Sequence, residues 1–84
     1  MLSPDRMDSP DRFEPDKHFS RGEQFVKEGK VVWALHEYTM AIQQKKLYPE
    51  AYRRRSEAKL WLGDGLGARA DMELAEAAAS IAKK

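Results

Sequence analysis

The side chains with chemistry to offer here are two histidines, a glycine-rich segment and a run of arginines, and their spacing decides what each can do. His18 and His36 stand without ligand-like neighbours at the separations a metal site needs, and the chain has no cysteine to supply a thiolate. The segment Gly63-Asp64-Gly65-Leu66-Gly67 is rich in glycine, but a phosphate-binding loop continues into Lys-Ser or Lys-Thr and this one does not. No nucleophile is paired with a base, and no two carboxylates form an acid and base pair. The expectation is a protein without catalytic residues, metal or cofactor, and so not an enzyme.

Arg53, Arg54 and Arg55 could grip phosphate, since guanidinium groups pair with it bidentately. Successive helical residues point about 100° apart, so three adjacent arginines do not make one stripe. Fifteen basic against fourteen acidic residues leave a net charge of only +1, so no general field draws the chain to nucleic acid or anionic lipid. Arg53 or Arg54 keeps the option of receiving an acidic or phosphorylated peptide. No apolar run approaches the roughly 18 residues of a membrane span, and Met1-Leu2-Ser3-Pro4-Asp5 lacks the apolar stretch of a signal peptide. With the missing cysteines, this leads us to expect a cytoplasmic protein with neither nucleic acid nor membrane as a partner.

The elements that would position these residues emerge from an internal repeat. At an offset of 34, Pro15 falls on Pro49, Arg21 on Arg55, Glu23 on Glu57, Gly29 on Gly63, Ala34 on Ala68 and Ala41 on Ala75. Similar residues join them: Asp16 on Glu50, Gly22 on Ser56, Glu37 on Asp71, Met40 on Leu74, Leu47 on Ile81. In each copy a proline with its fixed φ opens a helix, and a following acid complements the helix dipole. Gly29 and Gly63 then close it, in the left-handed conformation that glycine tolerates. Ala34, Leu35, Tyr38, Ala41 and Ile42 recur at three- and four-residue steps as one apolar stripe; Ala68, Met72, Ala75 and Ala79 form a thinner one. The spacing predicts helices near 16–28, 31–46, 50–62 and 66–82. Residues 1–14, with Ser3-Pro4-Asp5-Arg6 repeated as Ser9-Pro10-Asp11-Arg12, read as a flexible tail rich in proline and charge, or as a linear motif with phosphorylation sites at Ser3 and Ser9.

Gly22-x-x-Phe25, then Gly29 and Ala34-x-x-x-Tyr38-x-x-Ala41, resembles the signature of the tetratricopeptide repeat, whose repeat length is also 34. The resemblance spans residues 15–84 and implies an all-α fold, two antiparallel helical hairpins (15–48 and 49–82) stacked as a short right-handed α-solenoid. Small residues at Gly22 and Ala34, and at Ser56 and Ala68, suit the close approach of two helices. His18 and Tyr52 stand where the family has its early aromatic, Arg21 and Arg55 replace a leucine, and Lys59 replaces the aromatic at Phe25. A buried Lys59 would loosen or shift the second hairpin unless its stem reaches water. An alternative architecture is a three-helix bundle resembling the microtubule-interacting and trafficking domain, against which the second Gly-Asp turn argues.

By the same resemblance the first helices of the hairpins line a concave groove for a peptide or protein segment, with Phe19, Glu23, Lys27, Arg53, Arg54, Glu57 and Trp61 facing it. Tyr52 through Asp64 also resembles the middle repeat of co-chaperone domains that clamp acidic C-terminal tails. Phe19, Glu23 and Arg54 depart from that clamp, and Glu23 would repel a carboxylate. Trp33 and Tyr48 read as packing residues, while Trp61 reads equally as packing or contact surface. Because two repeats are few for such an array, the alternative to a binding module is a structural or assembly subunit, a homo-oligomer formed through the small side chains of Ala70, Ala77, Ala78, Ala79 and Ala82.

Overall fold

A computed structural model describes residues 14–82, and over them the chain is all-helical. The Ser-Pro-Asp-Arg duplication lies outside the described residues. Helix α1 spans Pro15–Lys27, α2 Val31–Gln44, α3 Pro49–Trp61 and α4 Gly65–Ala82. Successive helices pack in chain order, α1 on α2, α2 on α3 and α3 on α4, so two hairpins are stacked into one helical-repeat architecture.

The helix ends follow the residues expected to set them. Pro15 and Pro49 occupy the first helical positions, where the missing N–H is no loss. Gly29 and Gly63 have φ of 78° and 85°. Around each glycine the same pair of bonds forms. Gly29 N–H donates to Val26 O and Lys30 N–H to Phe25 O; Gly63 N–H donates to Leu60 O and Asp64 N–H to Lys59 O. This is the Schellman closure, which satisfies carbonyls a helix end otherwise strands. Asp64 then starts the next helix, its Oδ1 accepting from Gly67 N–H at 2.9 Å. Helix α2 stops at Gln44 rather than 46, as the backbone turns extended at Lys45.

The core is narrow and dominated by alanine: Ala34, Ala41, Ala51, Ala58, Ala68, Ala75 and Ala78 are buried together with Tyr38 and Ile42. Small side chains let the helix axes approach closely. Phe19, Tyr48 and Tyr52 close over Ala41, Ile42 and Ala51, where the hairpins meet. On α4 the buried stripe differs from the expected one: Ala68 and Ala75 are buried as expected, but Asp71 and Ala78 complete the stripe while Met72 is exposed. Met72 occupies the position of Tyr38, and among the described residues no further hairpin covers it. No helix is long and apolar enough to cross a membrane among the described residues.

Candidate functional site

The site begins with a close contact inside the first hairpin. A Cβ at Gly22 would lie 2.5 Å from Tyr38 Cε1, so only glycine lets α1 sit against the ring. The ring is fully buried, and Tyr38 Oη donates to Glu23 Oε1 at 2.5 Å. Burial first, and then this bond, raises the Tyr38 hydroxyl pKa, keeping the phenol protonated. Glu23 is thereby fixed on the groove side of α1, and its Oε2 accepts from Arg54 Nε at 3.2 Å. One buried phenol, one carboxylate and one guanidinium connect α2, α1 and α3.

Arg54 is bound on every nitrogen. Besides Glu23, Glu50 Oε2 lies 3.3 Å from its Nη2 and Glu57 Oε2 3.5 Å from its Nη1. The arginine that sequence reasoning offered to an acidic ligand is thus held by three carboxylates of its own chain. Arg53 also pairs with Glu50, at 3.2 Å.

Helices α1 and α3 both pack on α2 and leave between them a cavity of ≈ 490 Å³. Glu23, Lys27, Arg54, Glu57 and Trp61 line it, with Val26, Val31 and Ala58 as apolar wall and Tyr38 at the floor. Five of the seven residues expected in the groove are therefore brought together around one cavity. Arg53 is not among the lining residues. Nor is Phe19, whose ring packs 5.7 Å from Tyr38 and 5.4 Å from Tyr48, centroid to centroid, where the hairpins join. Trp61, at the end of α3, is 80% exposed. Trp33 is also largely exposed, with its ring 6.2 Å from that of Phe25, whereas Tyr48 is half-buried and donates to Asp16 at 2.8 Å.

A second polar cluster was not anticipated. Asp71 on α4 is 1% exposed and receives Arg55 Nε at 2.9 Å and Nη2 at 2.8 Å, with Lys59 Nζ at 3.0 Å. Burial raises the Asp71 carboxyl pKa, but the hydrogen bonds and charges of Arg55 and Lys59 outweigh it, so the net shift is downward. Arg55 Nη1 also reaches Thr39 Oγ1 of α2 at 3.3 Å. Lys59 therefore enters the second hairpin with a partner, which answers the expectation that it would loosen the packing. Glu37, the counterpart of Asp71, likewise reaches back across its own hairpin, its Oε1 2.8 Å from His18 Nδ1.

Neither cluster has the makings of a metal site: among the described residues no three His, Asp or Glu side chains converge to hold an ion. An exposed indole, an aliphatic wall and carboxylates along its sides give the groove apolar contact area and hydrogen-bond acceptors. Compared with family models, with curated proteins and with solved structures, the chain matches none.

Proposed function

We propose that the chain is a non-catalytic, cytoplasmic protein-interaction module of the tetratricopeptide type, holding a peptide or protein segment in the groove between α1 and α3. The observation that carries this reading is Trp61, 80% exposed beside a cavity of ≈ 490 Å³. An indole gives much contact area for little conformational entropy, and such residues anchor interfaces when a pocket lies beside them. The tetratricopeptide reading is supported by a 34-residue register whose two copies fold as equivalent hairpins, with the same glycine closure in each. An acidic-tail clamp is disfavoured by the engagement of Arg54 with Glu23, Glu50 and Glu57.

The test is affinity purification with mass spectrometry using the full chain and its Glu57→Lys, Trp61→Ala double variant. Both side chains are exposed, so the variant should keep its helical circular dichroism. Partners held by the groove should be recovered with the wild type and lost with the variant. Undiminished recovery would place binding elsewhere.

A further inference from the structure

The charge layout of the groove points to the chemistry of its occupant, an inference that rests on the binding reading above. Arg54 spends Nε on Glu23, Nη2 on Glu50 and Nη1 on Glu57, so an anion approaching the guanidinium meets three carboxylates first. Glu23 has both oxygens engaged, one by Tyr38 and one by Arg54. Glu57 does not. Its bond to Arg54 uses Oε2 at 3.5 Å, and its side chain is 61% exposed, leaving an accessible acceptor on the groove wall. One turn along α3 stands Trp61, which lines the cavity together with Val26 and Val31. Lys27, a turn beyond Glu23 on α1, lines the same cavity.

We infer that the groove takes a polypeptide segment carrying a large apolar side chain beside a lysine or arginine. The apolar group inserts between Trp61 and the Val26, Val31 and Ala58 wall. The neighbouring cation turns toward Arg54's end and meets Glu57, whose exposed carboxylate is held only through Oε2, by Arg54 at 3.5 Å. An acidic segment of the same shape is repelled there.

The experiment is selection of a displayed library of random dodecapeptides on the immobilised full chain, followed by amide-shift mapping with a synthetic copy of the most enriched peptide. The expected result is enrichment of Lys or Arg next to Leu, Phe or Trp, with shifts at Trp61, Ala58 and Val26. Glu57→Lys should weaken that peptide at least about tenfold and turn a repeat selection toward Asp and Glu. Enriched peptides that map to the groove but carry no basic preference, or keep their affinity with Glu57→Lys, overturn the charge assignment and leave the groove standing. Shifts confined to other surfaces, or no enrichment over a blank support, overturn the groove itself and the inference with it.

Discussion

At the scale of single residues, the side chains that matter most are charged ones that pattern reading places on the surface. Asp71 is the clearest case: removing one partner of a buried, hydrogen-bonded ion pair strands the others. In Asp71→Asn two cations, Arg55 and Lys59, face each other without a counter-charge. Because both still reach water in part, the cost is about 2 kcal/mol, below the usual range for a fully enclosed pair. The pH dependence has a definite sign. The folded-state pKa of Asp71 lies below the 3.8 of an unperturbed aspartate, so its contribution is fully present above that value and is lost as pH falls through the folded pKa. Urea unfolding of wild type and Asp71→Asn should therefore differ by a constant amount from neutral pH down to about 5, and converge below 3.8. A gap that persists into strong acid would mean that shape, not charge, makes Asp71 valuable.

At the scale of elements, two glycine roles separate cleanly, and they explain how much was legible beforehand. Gly22 is needed for space, since an added methyl meets the buried ring of Tyr38, itself held by Glu23 and Phe19. Gly63 is needed for its backbone, since nothing lies within 4 Å of an added Cβ but φ is +85°. Gly63→Ala should cost about 1 kcal/mol by left-handed strain alone and leave the groove intact. Gly22→Ala should cost about 1–3 kcal/mol and also displace Tyr38, with Glu23 behind it. Thermal unfolding reads the stabilities, and the Trp61 indole resonance reads the groove; an unmoved indole in Gly22→Ala would break the proposed connection. Helix starts, helix stops and this close approach were readable because proline, positive-φ glycine and absent side chains act locally. The partners of Arg54 and Asp71 were not, because they join residues on different helices that only packing brings together. Periodicity also reads any carboxylate as solvent-facing, so the α4 stripe was drawn through Met72 instead of Asp71. Phe19 fell on the expected groove helix, yet its ring fills the seam between hairpins, a distinction of side-chain direction rather than of spacing.

At the scale of the whole molecule, the 34-residue register relates residues of the outer helices to those at the seam between the hairpins. At the seam between them Ile42 of α2 packs with Tyr48, Ala51 and Tyr52, and Thr39 of α2 accepts from Arg55 of α3. Moved one repeat onward, Thr39 and Ile42 become Glu73 and Glu76 on the outer side of α4, both exposed. Moved one repeat back, Tyr48, Ala51 and Tyr52 become Glu14, Lys17 and His18 beside α1. Both outer helices thus carry charged or ionisable residues at the positions that Ile42, Tyr48, Ala51 and Tyr52 hold at the seam. A head-to-tail stack of copies would have to desolvate those groups, which the apolar seam between the two hairpins does not require. The wild type is therefore expected not to polymerise end to end, and the two ends can be converted separately. Glu73→Thr and Glu76→Ile give one protein the seam residues of α2; Glu14→Tyr, Lys17→Ala and His18→Tyr give another those of α3. Mixed, the two should form a one-to-one complex by sedimentation that neither forms with wild type. A wild type that itself lengthens with concentration, and does so less when Glu73 and Glu76 are changed, would show that these charged ends join copies rather than keep them apart.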